Sequence, residues 1–225
     1  MKQMKAVIFD MDGVISNTVP IQYETNLRLA KTLNISFSRE WNQSLQGLSR
    51  RKTVEAMIEA SSSTFTEDEV DEICNKKNYH YRELISQLTP RDAQPGIREF
   101  IQELANHKIP MVIASASQNA SFVLSKLELL SFFQGVVDVT TLKRGKPDPE
   151  IFLKAADIVG VAPAECIALE DGEAGLTAIL QTEMFSVGIG IEPFMKNADY
   201  YVESTSKLTL DGLEAVLNKH QRTIR

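Results

Sequence analysis

Apolar and polar positions alternate with two different periods along this chain. From about residue 18 to residue 88, apolar residues recur at helical spacing almost throughout. Ile21, Leu27, Leu29, Ala30 and Leu33 make one stripe, and Val54, Met57 and Ile58 begin another. Thr66-Glu67-Asp68-Glu69 reads as a helix start with acids in its first turn, continued by Val70, Ile73, Tyr81, Leu84 and Ile85. No strand is expected in this block. From Pro95-Gly96 onward the texture changes to strands and helices in alternation. Helices are predicted over 97–107, 120–130, 149–159, up to 179, and 208–218. Strands are predicted over 109–114, 135–138, 166–169, 184–188 and 200–202. One further β-rich run, Ala6-Val7-Ile8-Phe9, stands ahead of the helical block.

This order predicts an α/β fold, a Rossmann-like parallel sheet core with helices on both faces. The helical block reads as a small all-helical cap inserted after the first strand. Residues 1–16 and 90–225 form the expected core and 17–89 the cap, with hinges near Ser16-Asn17-Thr18 and Leu88-Thr89-Pro90. Such hinges imply opening for substrate entry and closure for chemistry.

Composition narrows the partners. A net charge of -6 argues against a nucleic-acid binder, which carries a basic face. It leaves an anionic small molecule open, because a few local cations can dominate a pocket. No apolar run approaches a membrane span. The lead-in Met1-Lys2-Gln3-Met4-Lys5 leaves no room for a signal peptide, and Cys74 and Cys166 form no metal-ligand spacing. The expectation is a cytoplasmic monomer with reduced thiols.

The candidate chemistry lies at the strand ends. In open parallel sheets, ligands bind beyond the carboxyl ends of the strands. The first strand ends in Asp10-Met11-Asp12-Gly13, with carboxylates at i and i+2 that share a face if the segment stays extended. The second ends in Ser115-Ala116-Ser117-Gln118-Asn119, and the loop after the third holds Gly145-Lys146-Pro147-Asp148-Pro149. The fourth ends in Glu170-Asp171. Each piece alone has a bland reading as a turn, a cap or a solvated loop. Together, at four successive strand ends, they suit phosphoryl transfer: acids for a hard cation, a lysine and hydroxyls for phosphate oxygens, and a carboxylate nucleophile.

These four motifs resemble those of the haloacid dehalogenase-like superfamily. Gly47-Leu48-Ser49-Arg50, Lys76-Lys77-Asn78 and Leu88-Thr89-Pro90 further resemble its β-phosphoglucomutase subfamily. The resemblance implies Asp10 as phosphoryl-accepting nucleophile and Asp12 as general acid/base. It implies Mg²⁺ held by Asp10, the carbonyl of Asp12 and Asp171, with Glu170 beside the metal. Ser115 and Lys146 would bind the transferring phosphoryl group, and Arg50, Ser117 and Asn119 a second phosphate. Gln22, Gln46, Gly47 and Gln118 would lie near substrate.

This sequence departs from the subfamily at four places. Gln22 stands where a histidine is usual, Gln46 and Gln118 where lysines are usual, and Asn17 where an aspartate is usual. The implied activity is interconversion of β-glucose 1-phosphate and glucose 6-phosphate. The alternative is a phosphatase acting on a sugar phosphate, and a third possibility is a non-catalytic binding module that kept the fold. His80, His107, His220 and Trp41 are expected outside the site, His107 at a helix end.

Overall fold

The computed structural model describes residues 4–223, with side-chain surroundings through Lys219. Most of the lead-in (Met1 to Gln3) and the His220 side chain lie outside this range. The first strand, β1 (Ala6–Phe9), is fully buried and runs through the centre of a six-stranded parallel sheet. The others are β2 (Met111–Ile113), β3 (Gly135–Val136), β4 (Cys166–Glu170), β5 (Phe185–Ile189) and β6 (Tyr200–Val202). The sheet order is β3-β2-β1-β4-β5-β6. Register pairs Phe9 with Ile113 on one side and with Leu169 on the other. The chain reverses its direction of sheet growth between β1 and β4, which opens a crevice at their carboxyl ends.

Alternation along β1 divides the core. Val7 and Phe9 pack with Ile97, Phe100, Ile101 and Leu104 of α5 (Ile97–Asn106) and with Val123 and Leu124 of α6 (Ala120–Lys126). Ala6 and Ile8 pack instead with Phe152 and Ala155 of α7 (Glu150–Val159) and Ile179 of α8 (Glu173–Leu180). The last helix, α9 (Leu210–Thr223), returns to the first face through Leu213. A fully buried Phe, Ile or Leu contributes about 1.5–3 kcal/mol, so two-sided burial explains why β1 and β4 are apolar without alternation.

Four helices make up the block between β1 and α5: α1 (Val19–Thr32), α2 (Arg39–Ser44), α3 (Arg50–Glu59) and α4 (Glu67–Ile85). They enclose their own apolar cluster of Leu29, Ala30, Leu33, Leu45, Val54, Met57 and Val70. The expected start of α4 forms a capping box: Glu69 N–H donates to Thr66 Oγ1, and Thr66 N–H donates to Glu69 Oε2 at 2.8 Å. Trp41 packs on Phe37 at the margin of this cluster.

The two connections to the helical block run side by side. Asn17 N–H donates to the Asp92 carbonyl and Gln94 N–H to the Ile15 carbonyl, each at 2.9 Å. Several element boundaries differ from expectation: β3 is shorter than the 135–138 run, α9 spans Leu210–Thr223 rather than 208–218, and two further differences have a visible cause. The helix expected over 120–130 stops at Lys126, because Glu128 takes a left-handed conformation (φ 56°) and the chain continues as a 3-10 turn at Leu130–Phe132. The second strand begins at Met111, after Lys108 turns the chain with φ 57°.

Candidate active site

Asp10 follows β1 directly, with its N–H donating to the Leu169 carbonyl at 2.9 Å. Beyond it the chain folds back: Ile15 and Ser16 N–H both donate to the Met11 carbonyl. This tight loop needs Gly13 at φ 86°. A Cβ there would stand 1.9 Å from Asp171 Oδ2, so only glycine lets the loop close on that carboxylate.

Lys146 is buried between two acids. Its Nζ donates to Asp10 Oδ1 at 2.5 Å and to Glu170 Oε2 at 2.7 Å, and it stands 5.1 Å from the centre of the Phe152 ring. The other oxygen of Glu170 accepts from the N–H groups of Asp171 and Gly172 at 3.2 and 3.0 Å. Burial opposes the ammonium, yet Asp10 and Glu170 overcome it and hold Lys146 above the ordinary lysine range. Burial and then repulsion by Glu170 push Asp10 up to about 7. Burial and then Asp10 push Asp12 up to about 6, and burial with Glu170 and Asp10 holds Asp171 well above the usual carboxylate range.

Four carboxyl groups thus crowd around one ammonium. Oxygens of Asp10, Glu170 and Asp171 lie within 4.8 Å of one another. An all-oxygen donor set with surplus negative charge fits a hard divalent cation, which would relieve the repulsion that raises Asp10 and Asp171.

Asp12 is held from two directions. Thr18 Oγ1 donates to Asp12 Oδ1, and the Tyr81 hydroxyl approaches the same oxygen at 3.4 Å. Thr18 occupies the N-cap position of α1 without making a cap hydrogen bond. Its hydroxyl serves the acid instead.

A cavity of about 610 Å³ separates the strand ends from the helical block. Asp10, Asp12 and Lys146 reach it from the sheet, and Arg50 and Lys77 from the helices. Burial and then the nearby Arg50 push Lys77 down to about 8, and burial also lowers Arg50. Besides the Tyr81 bond to Asp12, three hydrogen bonds cross the cleft: Arg50 Nη2 donates to Gln118 Oε1 at 3.0 Å, Asn119 Nδ2 to Asn78 Oδ1 at 2.9 Å, and Lys52 Nζ to the Lys146 carbonyl at 3.4 Å. The helical block is therefore closed over the sheet.

Of the residues expected near substrate, Gln22, Gly47, Arg50, Ser117, Gln118 and Asn119 all line this cavity. Ser115 and Gln46 stand outside its lining. Ser115 Oγ is buried behind the surface and accepts from Ser117 N–H at 3.1 Å, while the Gln46 backbone lies against Gly172. His80 is tied up with Arg28 and Glu83, and His107 ends α5 beside the Glu103 carbonyl. The sequence reading named Thr18 only as part of a hinge, Lys77 and Asn78 only within a subfamily motif and Tyr81 only in a helix stripe, and it did not mention Asn26 or Asn42. One signal was available: Gln22 and Asn26 are spaced i, i+4 and share a face of α1.

Residues 4–181 match the model of the haloacid dehalogenase-like hydrolase family. The chain belongs to that family. Within it, the chain is 43% identical to a β-phosphoglucomutase of Bacillus subtilis over 212 residues, 93% of this chain and 94% of the relative. The crystal structure of a β-phosphoglucomutase from Clostridium difficile superposes with a TM-score of 0.94 at 34% identity, covering 99% of this chain and 100% of the other. A phosphorylated carbohydrates phosphatase of Thermotoga maritima is 27% identical over 78% of this chain and 80% of its own length. The haloacid dehalogenase-like relatives therefore include both mutases and phosphatases.

Proposed function

We propose that this chain is a β-phosphoglucomutase, moving a phosphoryl group between β-glucose 1-phosphate and glucose 6-phosphate through Asp10. The observation that carries this reading is the two-ended cavity. One end presents Asp10 clamped by Lys146, and the helical block contributes Arg50 and Lys77 as cations for a second phosphate. Identity of 43% to the Bacillus subtilis mutase supports it.

In this reading an Asp10 carboxylate oxygen attacks phosphorus and the bond from phosphorus to the sugar oxygen breaks. Asp12, raised to about 6, donates the proton that the leaving oxygen takes up. In the other half the free hydroxyl of a glucose monophosphate attacks the aspartyl-phosphate, gives its proton to Asp12 and frees Asp10. The sugar between the two halves is therefore a bisphosphate, whose non-transferring phosphate Arg50 and Lys77 would hold. Lys146 neutralises charge on the transferring group. Asp10, Asp171 and the Asp12 carbonyl would hold Mg²⁺, with Glu170 beside it; Mg²⁺ supplies charge neutralisation on phosphoryl oxygens. The closed cleft excludes water from the intermediate. We further read residues 17–89 as a mobile cap hinged near Ser16-Asn17-Thr18 and Leu88-Thr89-Pro90, flanked by an isolated bridge between Ser16 and Ala93. Both cysteines are buried free thiols, which supports the cytoplasmic reading, and among the described residues no helix is long and apolar enough to cross a membrane.

The second reading, a sugar-phosphate phosphatase, is favoured by the neutral amides at Gln22 and Gln118, which attract a bisphosphate less than cations would. The deciding assay supplies β-glucose 1-phosphate with Mg²⁺ and a catalytic amount of glucose 1,6-bisphosphate, and follows glucose 6-phosphate and free phosphate together. Glucose 6-phosphate is expected to accumulate. Release of phosphate without isomerisation would overturn the mutase reading in favour of the phosphatase.

A further inference from the structure

Among the described residues, one buried side-chain polar atom has no hydrogen-bond partner: Asn26 Oδ1. Asn26 on α1 and Asn42 on α2 are 4% and 5% exposed, and Asn26 Nδ2 donates to Asn42 Oδ1 at 2.9 Å. Whichever way the two amides are turned, this single bond leaves one polar atom of Asn26 over. Both residues line the cavity that Asp10 and Lys146 reach from the sheet. Behind them lies the apolar cluster of Leu29, Leu45 and Val54. An apolar pair would have suited that neighbourhood without an unsatisfied group, which is costly when buried.

The surrounding surface has the same character. Gln22 stands one turn before Asn26, and Asn75 and Asn78 project from α4 into the same cavity. A primary amide both donates and accepts, as a hydroxyl does, so an amide-lined wall matches a polyhydroxylated ligand. The terminal torsion of an asparagine is soft, so the spare Asn26 atom can turn toward an occupant.

We infer that the Asn26–Asn42 pair is a hydroxyl-recognition subsite for the carbohydrate portion of the substrate. Asn26 Oδ1 accepts from one substrate hydroxyl, and the second Asn26 amide hydrogen or the Asn42 amide donates to its oxygen. This inference rests on the carbohydrate-phosphate reading above. It adds that specificity is set by neutral hydrogen bonds from α1 and α2, away from either phosphate.

The test measures kcat/KM of the wild-type enzyme for β-glucose 1-phosphate and for its 2-deoxy, 3-deoxy and 4-deoxy analogues, which keep the 6-hydroxyl that accepts the phosphoryl group, then repeats the series with Asn26→Leu. The wild type is expected to prefer the parent over one analogue by about tenfold, the worth of one neutral hydrogen bond. Asn26→Leu is expected to bring that ratio close to one, mainly through KM, without lowering the melting temperature. A wild type that treats the 2-deoxy, 3-deoxy and 4-deoxy analogues all within about twofold of the parent overturns the subsite, and needs no variant to do so. An Asn26→Leu enzyme that keeps the wild-type ratio overturns it as well. Failure of the wild type to turn over any hexose phosphate is a separate outcome: it overturns the functional reading, and the subsite with it.

Discussion

The two sides of the cleft are built on opposite principles. The sheet side concentrates formal charge in a dry place: Asp10, Lys146 and Glu170 are buried and bonded to one another. The helical side spreads neutral amides over its wall, with Arg50 and Lys77 as cations lining the cavity and Arg51 paired with Asp71 at its edge. Charge buried at fixed distances is strong because the surrounding dielectric is low, and it tolerates little change. Neutral amides contribute about 1 kcal/mol per bond and can be exchanged one at a time. The division suits a family whose relatives are named as both mutases and phosphatases.

The sharpest way to break this contrast is at Asp10. Asp10→Asn keeps the shape and removes the proposed nucleophile, and is expected to lower turnover on the order of 10⁴-fold or more on every phosphorylated substrate. Circular dichroism should show an unchanged fold. Comparable activity in the variant would mean that the charged side is not where chemistry occurs.

Lys146→Met tests whether the ionic cluster is a structural necessity as well. The change leaves Asp10 and Glu170 buried without their cation, and breaking such a cluster costs about 3–5 kcal/mol. Urea denaturation of metal-free protein should register most of that loss. A smaller cost would show that water reaches the cluster.

Acidity gives a third comparison. Asp10 and Asp12 sit at about 7 and 6 when folded, against an ordinary value of 3.8. The folded state therefore binds more protons than the unfolded state between about pH 4 and pH 7. Metal-free protein should lose stability as pH rises through that window. Mg²⁺ should raise the melting temperature more at pH 8, where the carboxylates are bare, than at pH 5. Equal effects at both would place the ion elsewhere.

The smallest effect is expected in the helical block away from the cavity. Thr66→Ala removes the cap of α4 and should cost about 1 kcal/mol of stability, read by thermal melting, while kcat/KM stays within about twofold. A larger change in activity would mean that α4 transmits its local stability to Asn78 and Tyr81.

Much of this was legible in the sequence, and the reasons are physical. β1 and β4 read correctly because burial on both faces demands unbroken apolar runs. The start of α4 read correctly because Thr66 and Glu69 satisfy backbone groups within one turn. Boundaries at Lys126 and Met111 were missed because they depend on left-handed residues, Glu128 and Lys108, that carry little signal of their own. Thr18 would pass for an ordinary helix cap, whereas its hydroxyl is committed to Asp12 instead.

What the sequence determined by itself is the charged half of the site, since Asp10, Lys146, Glu170 and Asp171 sit at strand ends and a parallel sheet brings its carboxyl ends to one edge. Only the tertiary structure decided the neutral half. Asn26, Asn42 and Asn78 come from three helices whose relative placement no local pattern encodes. Only that packing buries Asn26 and leaves its Oδ1 without a partner.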